Sequence, residues 1–413
     1  MLLDGIKTID SFSPRGKRIL LRLDLNSPVD RKTGRIEGRE KIVAASRTLR
    51  ELLEKGASVA VIAHQGRPGG YDFISLEQHS RILGEAAGAD VRFVPDICGK
   101  SAADAIHSLS AGHALVLDNV RGLDYEQKNA SAEEHSMREL VTVLSPLFDY
   151  FVNDAFAAIH RAHCSMVGFT RTLPSSIGRL MQDELSHISG LLDNPERPAV
   201  YVFGGKKFSD FLPVLNSVSS GRHADSILLS GLLSVAFLVA KGVKADKKTR
   251  DYILAESGDD FVSAAAELLE ASDRIYLPTD LAFNVDGRRV NAKADQWIQG
   301  REAWDIGDET ISRYSGIISS ARTVFISGPA GVYEKEGFGK GTSAIFRAAT
   351  EGDKYSIVGG GHTASAVSSL GFTGHFSYVS TGGGALEALL SGKKLDVLED
   401  LRRSAEIFSG AFR

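Results

Sequence analysis

Two kinds of residue in this chain have the type and spacing to handle phosphate. The first is glycine at the exits of apolar runs: Gly204-Gly205 after "AVYVF", Gly328-Pro329-Ala330-Gly331 after "TVFIS", Gly359-Gly360-Gly361 in "YSIVGGG", and Gly382-Gly383-Gly384 after "FSYVST". Lacking a Cβ, glycine lets backbone N–H groups approach an anion closely, and a helix that starts just beyond adds its positive end. One such cluster asks for no more than a tight strand-to-helix turn, but four in the same half of the chain point to a nucleotide. The common nucleotide fingerprints are absent. "GKS" at 99–101 has Val94 where a P-loop needs its first glycine, and no cluster spells GxGxxG. A less common cradle is expected.

The second kind is arginine and its polar company in the first half. "RLDLNSP" (22–28), Arg39, "HQGRPG" (64–69), "LDNVRG" with Arg121, and "NDAFAAIHR" ending in His160-Arg161 mostly follow short apolar runs. Singly, each reads more often as a solvated or salt-bridged surface group. Placed on one rim, Arg39, Arg67, Arg121 and Arg161 present forked donors that grip carboxylate and phosphate. A small polyanion suits them better than a long polymer. A nucleotide holder and an arginine basket together are the parts of phosphoryl transfer, which needs alignment and charge neutralisation more than an enzyme nucleophile.

The elements that must carry these residues are legible as strand-length apolar runs: "RILLRLDL", "SVAVIAH", "VRFVP", "ALVLDN" and "YFVNDAF", then "AVYVFGG", "SILLSG", "RIYLPTDLAF", "TVFISGP", "YSIVGGG" and "FSYVSTGG". Helical-period segments such as 40–55 and 131–144 separate them. The alternation predicts an α/β protein of two Rossmann-like lobes, each a mainly parallel sheet flanked by helices. Residues 174–194 read as one amphipathic helix joining the lobes as a hinge. The expected division is 1–173, 174–194 and 195–396, with a tail 397–413. The 413 residues exceed one ordinary core, and the net charge of −4 with two cysteines, Cys98 and Cys164, gives no global basic field and no disulfide framework. Neither a nucleic-acid nor a membrane partner is expected. With no evident secretory signal, the expectation is a soluble cytoplasmic protein.

Seven motifs in order, "RLDLNSP", "HQGRPG", "NDAFAAIHR", "GGKKFSD", "GPAGVYE", "VGGGHT" and "STGGGALEALLSGKKL", resemble those of phosphoglycerate kinase. The likeness runs from about residue 17 to about 396. "HQG", and His362 after the triple glycine, resemble the archaeal branch. The resemblance implies reversible transfer between 1,3-bisphosphoglycerate and ADP, giving 3-phosphoglycerate and ATP in glycolysis or gluconeogenesis, with Mg²⁺. It implies that Asp24, Asn26, His64, Arg67, Arg121 and Arg161 hold the phosphoglycerate, and that Arg39 and Lys207 are the catalytic charges at the moving phosphoryl group. It implies nucleotide contacts from Gly204, Gly205, Lys207, Gly328, Glu334 (ribose), Gly359, Gly360, Gly361 and Thr363. Gly382, Gly383 and Gly384 open a helix whose N-terminus faces the transferred group. The family's tail packs back on the N-terminal lobe, and its lobes close on a hinge to exclude water.

Departures from the family pattern gather in the nucleotide half. Phe211 stands where many members have a second lysine, and Lys206 is an extra lysine that either substitutes for it or is simply solvated. Ser327 replaces an asparagine, "SGLLSVAF" with Leu232 lacks the usual glycines and asparagine, and His362 replaces an aspartate near the metal. Gly122 replaces a phenylalanine in the acid-binding half. Neutral histidine is a poor ligand for Mg²⁺, so no protein ligand for the metal is assigned. A related phosphotransferase for another acyl phosphate, and a non-catalytic binding descendant, are the alternatives; a dinucleotide oxidoreductase lacks its glycine fingerprint. Monomer and homodimer are both open.

Overall fold

The structure is a computed structural model that describes residues 2–206, 208–221 and 223–412, without the side chains of Ser209 and Asp259. The chain forms two compact units, one of Met1–Ser186 with Lys394–Arg413 and one of His187–Lys393.

In the first unit, β1 (Arg18–Arg22), β2 (Ser58–Ile62), β3 (Val91–Val94), β4 (Ala114–Leu117), β5 (Tyr150–Asn153) and β6 (Ser175–Ile177) make a six-stranded sheet in the order β3-β4-β2-β1-β5-β6. Every pairing is parallel. The strands are continuous apolar runs because both faces are covered. Alternate residues serve opposite cores: Ile19 and Leu21 pack with Ile42, Leu49 and Leu83, while Leu20 packs with Leu115, Phe151 and Phe169. The C-terminal helix Asp396–Ile407 belongs to this unit. Asp400 pairs with Arg171 at 2.7 Å, and Ser404 Oγ accepts the Ser175 N–H at 3.1 Å.

In the second unit, β7 (Ala199–Phe203), β8 (Ser226–Leu229), β9 (Ile275–Tyr276), β13 (Thr323–Ser327), β14 (Tyr355–Gly359) and β15 (Tyr378–Val379) form a parallel sheet ordered β15-β14-β13-β7-β8-β9. Between β9 and β13 the chain inserts an antiparallel sheet of β10 (Asp280–Val285), β11 (Arg288–Lys293) and β12 (Ala303–Ile306).

Three expectations change. Residues 174–194 are not one helix: Ser175–Ile177 is the edge strand β6, and the helix is Arg179–Leu192. The buried edge Ser175–Ile177 continues the sheet beside β5, and Asp154 then receives the helix's first N–H groups, with Met181 N at 2.8 Å. The segment 131–144 is two short helices, Ala132–Ser136 and Glu139–Leu144, parted where Arg138 is extended and the Leu140 N–H donates to Tyr125 Oη at 3.0 Å. "RIYLPTDLAF" divides at Pro278 into β9 and β10, which lie in different sheets. The helix Arg179–Leu192 runs across the division between the units.

Candidate functional site

In both parallel sheets the order reverses at the first strand in chain order, β1 flanked by β2 and β5 and β7 flanked by β8 and β13, and the loops beyond the carboxyl ends at such a point open a crevice. In the first unit, the loops after β1, β2, β4 and β5 deliver Asp24, Asn26, His64, Gly66, Arg67, Asp72, Arg121 and Arg161, and the first turn of the helix Glu40–Glu54 delivers Lys41, to one cavity of about 220 Å³. Six of the acid-binding residues named from the sequence therefore meet. Four cations face two carboxylates there, so the cavity favours an anion.

Each wall is fixed from beneath. Gly66 has φ +64, and a Cβ on it would run into the Asp72 backbone, so the turn accepts only glycine. Its N–H goes to Asn26 Oδ1 at 2.8 Å, which turns the two Asn26 amide hydrogens into donors for the cavity. Its carbonyl takes Arg121 Nη1. Under the turn, buried Gln65 accepts from Ser27 N at 2.8 Å and donates to Ser27 O at 3.0 Å, and Asn119 Nδ2 donates to Gln65 O at 2.8 Å.

The electrostatics follow from burial and neighbours. Burial would raise Asp24, but Lys41 at 3.1 Å, with His64 and Arg22 nearby, holds it at about 2. Burial, then Arg161 and Arg22, pull Arg121 down to about 10, a sign of crowded cations that Glu126 only partly offsets. Burial, then Arg22, hold His64 well below its usual range against the pull of Asp24. Neutral His64 accepts at Nδ1 from Arg22 Nη2 at 2.9 Å and so presents an Nε2–H.

Arg39 is elsewhere. It precedes the helix Glu40–Glu54, pairs with Glu85, and both side chains are more than half exposed (52% and 55%). It does not line the cavity with the other arginines.

In the second unit a cavity of about 460 Å³ is lined by Gly205, Lys206, Gly231, Leu232, Pro329–Val332, Glu334 and His362, with Trp297 and Trp304 from the segment around the inserted sheet. These are the chain's two tryptophans. The mix of apolar and aromatic walls with a polar mouth suits a nucleoside. Trp297 Nε1 donates to Asp246 at 2.9 Å, and Trp304 Nε1 to Glu302 at 3.0 Å, which fixes both rings. Asp305 also lines the cavity; burial lifts it to about 6, although the Gly341 N–H and Arg289 both favour its charge.

The glycines named from the sequence divide by task. A Cβ on Gly204 or Gly328 would collide with the other's backbone or its neighbours, and Gly328 has φ +92. These two let the exits of β7 and β13 cross. Gly359 makes room for Leu386. Gly361 opens the helix Gly361–Ser369 with nothing within 4 Å of where its Cβ would stand. Gly360, φ +90, precedes it. Thr363 is buried, and its Oγ1 accepts the Gly328 N–H at 2.7 Å, so it ties two turns together. Gly382 caps the helix Gly383–Leu390, whose first residues include Gly384. Phe211 is a core residue packed on Phe203. Lys207 lies outside the described residues; Lys206 is exposed at the cavity. Sequence reasoning missed Lys41, Asp72 and the two tryptophans. "VDGR", a Gly-containing hairpin turn at Asp286-Gly287, signalled the inserted sheet near which the tryptophans lie. No feature of the sequence marked Lys41.

No group of three or more His, Cys, Asp or Glu able to hold a metal occurs among the described residues. No helix among them is long and apolar enough to cross a membrane.

Comparison with known proteins gives one answer. The family model "Phosphoglycerate kinase" matches residues 9–393. The phosphoglycerate kinase of Methanobacterium bryantii is 41% identical over 395 residues, covering 95% of this chain and 96% of that one. That of Sulfurisphaera tokodaii is 39% identical over 407 residues, with 98% of each covered. The crystal structure of phosphoglycerate kinase from Pyrococcus horikoshii OT3 superposes with a TM-score of 0.90 at 35% identity, covering 98% of this chain and 100% of that chain. The one from Coxiella burnetii gives 0.82 at 29%, covering 96% and 99%.

Proposed function

The chain belongs to the phosphoglycerate kinase family, and we propose that its first-unit cavity holds the phosphoglycerate while its second-unit cavity holds the nucleotide. The reaction is the glycolytic phosphoryl transfer of that family, between 1,3-bisphosphoglycerate and ADP on one side and 3-phosphoglycerate and ATP on the other. What carries the assignment of the acid is the convergence of Asp24, Asn26, His64, Arg67, Arg121 and Arg161 on one cation-rich cavity.

In this reading Arg67, Arg121 and Arg161 grip phosphate and carboxylate oxygens through their forks. Asn26 and His64 add neutral N–H donors. Asp24 keeps Lys41 in place rather than meeting the anion. The nucleoside lies against Trp297, Trp304, Leu232 and Val332, with its ribose at Glu334. Its phosphates run toward Gly205, Gly360, Gly361 and the helix that begins there. Arg39 and Lys207 neutralise charge on the phosphoryl group as it moves in line between the substrates. The exposed Arg39–Glu85 pair contributes little stability, so a phosphoryl group competes for that guanidinium at small cost.

The described residues offer no carboxylate cluster for Mg²⁺. The ion in this reading arrives on the nucleotide phosphates as part of the substrate. A cytoplasmic location follows from the glycolytic reaction. The test is ADP formation from ATP and 3-phosphoglycerate in a coupled assay, with Mg²⁺ omitted as control. Absence of turnover with 3-phosphoglycerate, in a protein that still binds ATP, would refute the assignment of the acid.

A further inference from the structure

Beneath the first-unit cavity, four side chains form one buried hydrogen-bonded chain. Glu126 and Arg22 are each 1% exposed, Ser165 is 0% and His64 7%. The position of each proton is fixed by what the groups can do. A guanidinium only donates. Arg22 Nε stands 2.9 Å from Ser165 Oγ, so that oxygen accepts and sends its own hydrogen to Glu126 Oε1 at 2.6 Å. The Ser165 N–H takes the other carboxylate oxygen at 2.9 Å. At the far end Arg22 Nη2 stands 2.9 Å from His64 Nδ1, which must then accept. Arg22 Nη1 is engaged with the Leu23 carbonyl.

We infer that Arg22, anchored through Ser165 to Glu126, is a positioning residue for the acid site: it holds His64 as a neutral ring with its hydrogen on Nε2, so that the histidine meets the substrate as an uncharged donor. This rests on the reading that the cavity takes phosphoglycerate. Arg22 does not line the cavity, and its hydrogen bond to the cavity wall is the one to His64. The charged groups that act on the ring are Arg22, Arg121 and Lys41, which oppose its protonation, and Asp24, which favours it. Three cations and burial outweigh one carboxylate that Lys41 already engages.

The consequence concerns the ligand. A protonated His64 would pair with Asp24 in the empty cavity and bring a charge that titrates. A ring locked by Arg22 leaves the cavity's positive charge to Lys41 and the arginines, constant through the range in which histidine ordinarily changes state.

The experiment uses the full-length protein. Long-range ¹H–¹⁵N spectra of His64, assigned by difference from the His64→Gln variant, are recorded from about pH 5 to about pH 8. A protonated Nε2, a bare Nδ1 and no titration are expected. An imidazolium, or hydrogen on Nδ1, overturns the inference without any Arg22 variant having to fold. Arg22→Met should make the ring titrate in that window. It should also make KM for 3-phosphoglycerate vary by about threefold or more across it, where the wild type stays flat. Arg22→Lys, which keeps a donor, should restore the flat profile in part. Unchanged ring signals of His79 and His135, both buried in the same unit, show that each variant is folded. A KM profile for Arg22→Met parallel to the wild type overturns the positioning role. A neutral ring that 3-phosphoglycerate leaves undisturbed overturns the cavity reading, and with it the role given to Arg22, while leaving the tautomer established.

Discussion

Replacing one glycine of the second unit should cost stability, and replacing another should cost only nucleotide binding. Gly328 has φ +92, and a methyl there would strike the Gly204 carbonyl and stand 3.0 Å from Gly204 Cα. A left-handed alanine costs about 1–2 kcal/mol. Parting the two backbones also weakens Gly204 N–H to Ser327 O (2.8 Å) and Gly205 N–H to Pro329 O (2.9 Å), at about 1 kcal/mol each. Gly328→Ala should therefore lose about 3–4 kcal/mol. Gly361 begins a helix with open space where the methyl would go. Gly361→Ala should stay within about 1 kcal/mol of the wild type, but raise KM for ATP by about tenfold by blocking the phosphates' approach. Both tryptophans belong to the second unit, so urea unfolding followed by their fluorescence reads that unit alone. Equal stability losses in the two variants would refute the division of tasks, and an unchanged ATP KM in Gly361→Ala would refute phosphate binding at that helix.

Asp154, fully buried, is raised by burial from 3.8 to about 7 despite the Met181 N–H and the Thr48 hydroxyl. The native state keeps a proton that the unfolded chain has released, so this group's stabilisation is full below about pH 4 and is lost as pH rises to about 7, a span of about 4 kcal/mol. Asp154→Asn should flatten that fall in urea midpoints between about pH 5 and about pH 8, and equal slopes in both proteins would sink the idea. Arg39→Ala should leave stability within about 0.5 kcal/mol while kcat falls by about a hundredfold or more; a change confined to KM would place Arg39 outside the transition state. Glu334→Gln should raise KM for ATP several-fold with kcat unchanged, as removal of a uniform binding contact does. A fall in kcat of the same size would contradict a ribose role.

What the sequence made legible was whatever rests on local periodicity. Ile19 to Leu21 and Val59 to Val61 read as strands because burial on both faces leaves an unbroken apolar run. Ser175–Ile177 was not legible, since a short edge strand beginning with two serines carries no such run, and its hydrogen bonds come from β5 and from Ser404, more than two hundred residues away. The acid-binding residues were legible because each follows a strand in a motif, and the exits of parallel strands converge. Lys41 was not. It is the second residue of a helix with no motif around it, and only the fold brings it to Asp24. The glycine clusters were legible as places but not as tasks. Whether a missing Cβ serves a ligand or a crossing backbone depends on what stands opposite, and for Gly204 and Gly359 the neighbour is Pro329 or Leu386.

The same distinction governs the arginines. A count of guanidinium groups from the sequence treats them as equivalent, yet their surroundings assign different work. Arg121 is buried, bonded to the Gly66 carbonyl and depressed to about 10 by burial and by Arg161 and Arg22. It is therefore held in place at an electrostatic cost that an arriving anion relieves. Arg39 is exposed and paired with one glutamate, so it can change partner during a reaction. Arg22 touches no ligand space and is satisfied by a serine, a carbonyl and a histidine. A preformed cavity needs the first kind because reorganisation during binding would consume affinity. A phosphoryl group in motion needs the second, and the third holds the histidine that lines the cavity beside the first. The dividing variables are burial and the partners each guanidinium meets, which no motif spells out and which only the folded neighbours of each arginine determine.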